Sequence, residues 1–521
     1  MPDIANATIA DLRAALDAGE TTAAALAQGY LDRIAAHDRG GANLNSVLET
    51  NPDALAIAAE MDAGQRRGKR PLEGIPILLK DNVATADKQH TTAGSLALEG
   101  AKARRDATVT RLLREAGAVI LGKANLTEFA NILAVGMPSG YSSLGGQVRN
   151  AHAPQLDDKR VPVVQPGGSS AGSAVAVAAG LAAASIGTET SGSLLSPANQ
   201  NGIVTVKPTV GLISRAGIIP ISSSQDTAGP MTRSVRCSAA LLNVLAAADE
   251  QDPATAKLGR PADYLAELDR DGLRGARIGV PSDPSDPGND FYYRPLSTRQ
   301  KQVMEQAITA LQDCGAIVVR VNIPTAGWIG GPGTDLPVLN RNPESTGLHS
   351  IARTPIVFLY ELKHDMAAYL RDWAENTEMR GIGDIIAFNN AHRERALRFG
   401  QDLFLAADET EGDLSEPEYH AARRSDLLHS RKLGLDAYMD AHRLDAVLFA
   451  GATGAAIAAK AGYPSVQVPA GFTAGVGELD TPDYPQGATF TGRAWSEATL
   501  LRIAYAFEQA TQARRMPGGL G

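Results

Sequence analysis

Three times along the chain an amphipathic helical stretch runs straight into a short, wholly apolar segment. Residues 109–117 lead into Ala118-Val119-Ile120-Leu121, residues 302–315 into Ala316-Ile317-Val318-Val319, and residues 433–444 into Ala446-Val447-Leu448-Phe449. A strand that is apolar at every position has no face left for water, so its sheet must be covered on both sides. Helices alternating with such strands predict an α/β fold of three layers, α/β/α, around a central, mostly parallel mixed sheet. The length of 521 residues alone would suggest about three domains, but no flexible linker separates them. One unit is expected, with a helical layer at 1–68, a core at 69–240 and a part completing the sheet and cleft at 241–521.

Within that frame, Thr8-Ile9-Ala10-Asp11 reads as a capping box, and the text from Thr8 to about Gly64 reads as helical, ending in a basic loop at 66–70. The run Gly74-Ile75-Pro76-Ile77-Leu78-Leu79-Lys80-Asp81-Asn82 reads as a buried strand that stops abruptly in charge. Segments 281–296, 324–338 and 473–489, rich in Pro, Gly and Asp, read as surface loops.

Composition excludes several classes. Hydrophobic residues at 44% and charged residues at 21% fit a globular chain and not a disordered or fibrous one. A formal net charge of −9 argues against nucleic acid as a partner, because phosphate affinity comes from clustered Lys and Arg. Two cysteines, Cys237 and Cys314, cannot build a disulfide framework or a Cys-rich zinc site. No H-E-x-x-H occurs and the histidines are scattered, so no metal or cofactor is expected. The opening residues lack a basic stretch followed by an apolar one, and the longest apolar stretch, 173–186, is too short and too weakly hydrophobic to span a bilayer. A soluble protein with no membrane partner is expected, cytoplasmic or exported after removal of a leader, as a monomer or homodimer.

The chemistry is concentrated between Gln165 and Pro230. Gln165-Pro166-Gly167-Gly168-Ser169-Ser170-Ala171-Gly172-Ser173 is followed by Gly187-Thr188-Glu189-Thr190-Ser191-Gly192-Ser193 and Ser224-Gln225-Asp226-Thr227-Ala228-Gly229-Pro230. Glycine lets backbone N–H groups approach a ligand, and several convergent N–H groups make an oxyanion hole. Two readings of this stretch compete. Gly168-Ser169-Ser170-Ala171-Gly172 matches G-x-S-x-G, which would make Ser170 the nucleophile of an α/β-hydrolase-type esterase. The apolar run 161–164 would then be the preceding strand, and His420, His429 or His442 the base. In the second reading the base is Lys80, at the end of its strand. A base must be neutral, and bringing a lysine from about 10.4 down by three units needs about 4 kcal/mol, which burial can supply.

Lys80, the Gly-Gly-Ser-Ser-Ala-Gly-Ser run and the 187–193 run together resemble the amidase signature family. So do Gln225-Asp226-Thr227-Ala228-Gly229-Pro230, Ala461-Gly462-Tyr463-Pro464-Ser465, Ala494-Trp495-Ser496-Glu497 and the late helix at 504–515. The blocks occur in the family's order over nearly the whole chain and look most like bacterial peptide amidases, which hydrolyse C-terminal peptide amides. The resemblance implies the amidase-signature fold and no cofactor. It implies Ser193 as nucleophile, Ser169 after a cis peptide bond as the bridging serine, and Lys80 as base. It implies an oxyanion hole from the N–H groups of Thr190, Ser191, Gly192 and Ser193, with Gly168, Ser170 and Asp226 around them. Asp226 could accept a hydrogen bond near Ser169 or serve as a turn former.

Departures are as informative. Ser191 and Ala171 stand where many members have Gly, and Leu195 stands where an arginine is common, although Pro197 remains. Residues 151–164 look longer, and 454–460 shorter, than in peptide amidases, and both could border the substrate cleft. Gly117-Ala118-Val119-Ile120-Leu121-Gly122-Lys123-Ala124 imitates a P-loop, but its middle is a strand and Ala124 lacks the hydroxyl that magnesium needs. The expected activity is amide hydrolysis on a peptide amide or other small linear amide, with turnover rising as Lys80 loses its proton. The alternatives are the Ser170 esterase and an amidase-like subunit of a tRNA-dependent amidotransferase.

Overall fold

A computed structural model describes residues 3–64, 70–259, 261–331, 333–339, 351–473 and 483–520. Most of the basic loop at 66–70 and the middle of the 473–489 segment lie outside the described residues. Among these residues eleven strands form one sheet: β1 Val47–Thr50, β2 Pro76–Lys80, β3 Val119–Ala124, β4 Ala184–Glu189, β5 Val204–Lys207, β6 Thr227–Thr232, β7 Arg277–Val280, β8 Ile317–Arg320, β9 Ala446–Ala450, β10 Ser465–Thr473 and β11 Tyr484–Thr491. Their spatial order is β1-β3-β2-β4-β6-β5-β10-β11-β9-β7-β8. Every residue of β2 through β6, and of β9, is buried, so the central sheet is covered on both faces as its apolar runs predict.

The balance of strand directions differs from expectation. Four neighbouring pairs are parallel and six antiparallel. Parallel triplets occupy the flanks, β3-β2-β4 and β9-β7-β8, and a run of antiparallel pairings joins them through β6, β5, β10 and β11. The sheet is therefore mixed but not mostly parallel. The run at 316–319 also departs from expectation: as the edge strand β8 it leaves Ile317 47% exposed and Val318 to Arg320 half-buried. An apolar run therefore reports burial on both faces only inside the sheet, and it carries no information about the direction of its neighbour.

The predicted helix–strand pairs are present. Helix α4, Thr108–Glu115, precedes β3, and helix Thr298–Asp313 precedes β8. Before β9 the chain is a π-helical stretch, Leu428–Leu435, continued by Asp436–His442. The N-terminal segment holds α1 Ile9–Asp17, α2 Ala23–Arg33 and α3 Ala54–Ala63, and the capping box forms: Thr8 Oγ1 accepts from the Asp11 N–H while the Asp11 carboxylate accepts from the Thr8 N–H.

Four further expectations need correction. The text 8–64 is not wholly helical, because Val47–Thr50 pairs with β3 as an edge strand. Segment 473–489 is not simply a loop: Tyr484–Thr491 is β11, with Ala488 and Phe490 fully buried. Likewise Asp335–Leu339, partly inside the 324–338 segment, forms a hairpin with Ile351–Pro355. The run 161–164, needed as the strand before a nucleophile elbow, contains only an isolated bridge from Leu156 to Pro162. The late helix runs Glu497–Thr511.

Candidate active site

The site forms at the C-terminal ends of the parallel triplet, where open α/β sheets place their ligands. In register, Lys80 faces Ala124 on β3, and Leu79 faces Ile186 on β4. Lys80, the last residue of β2, is fully buried. Its Nζ is 2.7 Å from Ser169 Oγ, 2.9 Å from Thr188 Oγ1 and 3.4 Å from the Thr188 carbonyl oxygen. None of these partners carries a charge. Burial therefore pulls the amine down from 10.5 to about 7, against the pull of the Asp226 and Glu189 carboxylates, which favour the proton from further off.

Ser169 and Ser170 sit on the turn that enters α5, Ala171–Ala178. The Gly168–Ser169 peptide bond is cis. The Ser169 carbonyl accepts from the Thr127 N–H at 3.0 Å, which fixes the turn against the end of β3. Gly172 has no room for a side chain: a Cβ there would lie 2.3 Å from the carbonyl oxygens of both Ser46 and Asn125, so helix and sheet meet backbone to backbone.

Thr190, Ser191, Gly192 and Ser193 link β4 to the short helix α6, Leu195–Asn201. Gly192 has φ +86°, a conformation that glycine adopts without strain and that turns the chain toward α6. Ser193 is 7% exposed, and its carbonyl accepts from the Ser170 N–H at 3.2 Å, which docks the 190–193 loop on the 169–170 turn. Glu189, buried beneath, accepts from the N–H groups of Leu194 and Leu195 at 2.7 and 3.0 Å. Asp226 is both a turn former and an acceptor, and the side chain that donates to it is Thr190. It accepts from the Ile221 and Ser222 N–H groups at 2.8 and 2.9 Å and from the Thr190 hydroxyl at 2.5 Å. Burial raises its carboxyl to about 6.

The structure thus hydrogen-bonds Lys80 to Ser169 and docks the 190–193 loop, with Ser193, on the 169–170 turn through the backbone. Ser170 is close but differently engaged: its hydroxyl donates to the Thr188 carbonyl at 2.9 Å and accepts from the Thr188 N–H at 3.2 Å. The histidines proposed as its base are occupied elsewhere. His429 stacks on Trp328, and His420 and His442 pack against Tyr419 and Tyr438. Two residues that sequence reasoning leaves without a role matter here: Thr188, which holds Lys80, and Asn82, whose Nδ2 donates to Thr188 Oγ1 at 3.0 Å. Both lie inside quoted motifs, and only the register of β2 on β4 shows what they touch. A cavity of about 240 Å³ opens beside them, walled in part by Asn82, Thr188, Thr190 and Asp226.

The family model Amidase matches residues 25–501. The chain belongs to the amidase family. It is similar over its whole length to the crystal structure of the peptide amidase of Stenotrophomonas maltophilia, at 43% identity and a TM-score of 0.84, covering 99% of each chain. It is 37% identical to a protein named as a probable amidase of Arabidopsis thaliana, covering 99% of this chain and 92% of that protein. It is also 32% identical to one of the subunits of the glutamyl-tRNA(Gln) amidotransferase of Chloroflexus aurantiacus, over 98% of each. This amidase is accordingly an amide-hydrolysing enzyme with the amidase-signature fold. Among its described residues no helix is long and apolar enough to cross a membrane.

The departures noted in the amidase sequence have visible consequences. Leu195 brings no cation beneath the 190–193 loop, and Glu189 there serves the backbone instead. The buried amine of Lys207, which donates to the Tyr463 carbonyl at 2.6 Å, is drawn down to about 8 by burial and held up by Glu189 and Glu497. Segment 454–460 forms most of the helix Ala455–Ala461, and a Cβ on Gly192 would lie 3.4 Å from that of Ala455, so this segment does reach the loop at the site. No residue of 151–164 walls the cavity.

Proposed function

We propose that this amidase is a serine amidohydrolase that cleaves peptide C-terminal amides or other small linear amides through an acyl-enzyme on Ser193, with Ser169 and Lys80 as the proton relay. The observation that carries the reading is the fully buried Lys80 amine 2.7 Å from the Ser169 hydroxyl. A neutral amine has two N–H bonds and one lone pair. The Thr188 carbonyl can only accept, and the Thr188 hydroxyl stands beside it. With both N–H bonds directed at Thr188, the lone pair is left for the Ser169 proton.

Ser169, having given its proton to Lys80, takes one from Ser193, whose oxygen bonds to the amide carbon. The carbonyl oxygen gains charge and is held by the N–H groups of Thr190, Ser191, Gly192 and Ser193; loss of one such donor costs about 3 kcal/mol of barrier. Ser169 then protonates the departing nitrogen as the C–N bond breaks. Water, deprotonated through the same relay, opens the ester and restores Ser193. The peptide-amide preference is supported by the full-length likeness to a peptide amidase. The likeness to a glutamyl-tRNA(Gln) amidotransferase subunit supports a second reading, release of ammonia from glutamine in a complex.

Ser193→Ala and Ser170→Ala separate the readings when ammonia release from a peptide carboxamide is followed. The Ser193 variant is expected to lose at least about 10⁴-fold in kcat and the Ser170 variant to stay within about tenfold. Loss confined to Ser170→Ala would overturn the relay. Glutamine hydrolysis that appears only with a partner protein would favour the second reading.

A further inference from the structure

The cavity beside the relay, at about 240 Å³, is smaller than the roughly 300 Å³ at which pockets for drug-sized ligands begin. It has room for one residue-sized group. Its lining is partly apolar, with Ile218, Tyr369 and Trp373, and among the described residues it also holds one cation, Arg215, and four carboxylates.

Arg215 is committed within that lining. Its Nε and Nη2 donate to Asp252 at 2.5 and 2.7 Å, and its Nη1 donates to the carbonyls of Ser223 and Asp226. Asp252 and Arg215 therefore neutralise one another. Asp365 and Asp372 remain on the helix Ile356–Asp372. Asp365 accepts from the Ser223 N–H at 2.8 Å and lies 2.8 Å from the His364 ring, while Asp372 pairs with exposed Arg371 and also feels Arg104 and Arg105, the latter stacked on Trp373. With Arg215 set against Asp252 and Asp372 set among arginines, Asp365 and Asp226 are the lining carboxylates to which no cation is bonded among the described side chains other than the His364 ring at Asp365.

A second, independent feature points to a donor on the ligand. Asn82 is 2% exposed and stands on the cavity wall. Its Nδ2 is used, by Thr188 Oγ1 and the Ile219 carbonyl, but its Oδ1 has no hydrogen-bond partner among the described residues. A buried amide oxygen left unmatched beside a cavity favours any hydrogen-bond donor that enters, and an N–H group of a ligand meets that need.

We propose that this cavity is the subsite for the residue next to the scissile carboxamide and that it selects a protonated amine. Asn82 Oδ1 accepts one of its N–H bonds, and Asp365 and Asp372 supply the complementary charge. The substrate class is then amides of basic residues. This rests on the amidohydrolase reading above.

The test compares three matched substrates, the carboxamides of N-acyl-lysine, N-acyl-norleucine and N-acyl-glutamate, on the wild type and on Asp365→Asn/Asp372→Asn. The expected order of kcat/KM is lysine above norleucine above glutamate, with the difference mainly in KM. In the double variant the lysine preference shrinks by about threefold to tenfold, the span expected for two partly exposed charge pairs. Equal rates for lysine and norleucine, a glutamate preference, or a lysine preference untouched in the folded double variant would each overturn the subsite. Should none of the three be hydrolysed, the peptide-amide reading fails. Calorimetric binding of the same compounds then decides the subsite: tighter binding of the lysine amide supports it and equal affinities overturn it.

Discussion

Lys80 and Lys460 are both long cationic side chains with almost no exposed surface, 0 and 2% respectively, yet their surroundings are opposite in kind. Lys460 Nζ lies 2.7 Å from Asp426 and 3.1 Å from Asp335, so a charge removed from water meets two carboxylates. Lys80 Nζ meets a serine hydroxyl, a threonine hydroxyl and a carbonyl oxygen, and the carboxylates that favour its proton, on Asp226 and Glu189, act only from a distance. The first arrangement ties the Asp335 hairpin and the 417–427 helix to the core. The second leaves an amine whose cheapest answer to burial is to lose its proton. A lysine becomes available as a base through the absence of a counter-ion, and the same fold supplies both cases.

The largest way to break this comparison is Lys80→Met. kcat/KM is expected to fall by at least about 10⁴-fold, while thermal unfolding at pH 6 shows equal or greater stability than wild type. The sign follows from the two states of the amine. Unfolded, it holds its proton until about 10.5; folded, it loses it near 7. Between those values unfolding takes up a proton, so this group's contribution to stability grows as pH rises and is least favourable below 7. A wild type that gains stability over Lys80→Met between pH 7 and 10 supports the account; parallel curves contradict it.

Lys460→Met should do the reverse. Two buried carboxylates lose their partner, which costs about 3–5 kcal/mol of stability by denaturant unfolding, while kcat per folded molecule stays within about twofold. A large loss of kcat in that variant would mean that the two lysines are not as separate as their contacts imply. Smaller again is Thr188→Val, which removes an acceptor from the Lys80 ammonium and should lower kcat by about tenfold. Because that acceptor stabilises the charged form, the rise of activity with pH should move to lower pH. The smallest expected effect is that of Asp226→Asn, which loosens the Thr190 end of the 190–193 loop. It should lower kcat severalfold with KM nearly unchanged, since Thr190 is one of the four oxyanion donors proposed above and would lose only part of its contribution; a change confined to KM would count against a role in positioning that loop.

Much of this is legible in the sequence. The apolar runs ending in Lys80 and beginning at Ala118 and Ala446 announce buried strands, and the Gly168-Ser169-Ser170 and Thr190-Ser191-Gly192-Ser193 blocks announce loops of the right chemistry. What is hidden depends on pairing. Val47-Leu48-Glu49-Thr50 is too short and mixed to stand out between helices, and it is a strand only because β3 offers it an edge. β10 and β11 carry Pro469 and Pro485, which read as loop residues, yet the two strands pair with an irregularity at 469–471. The role of Thr188 follows from β4 lying beside β2 in one register, and no local pattern reports that. Asp226 stands out in its Gly-flanked block, but only the fold shows that it reaches Thr190.

The central claim is that the Lys80 amine is mostly neutral near the upper physiological pH range. It is tested most directly by following the ¹³Cε resonance of Lys80 with pH in protein labelled at lysine, using Ser193→Ala to prevent turnover and Lys80→Met to assign the signal. The account predicts a single titration near pH 7. A Lys80 resonance that keeps its protonated shift to pH 10 would contradict it.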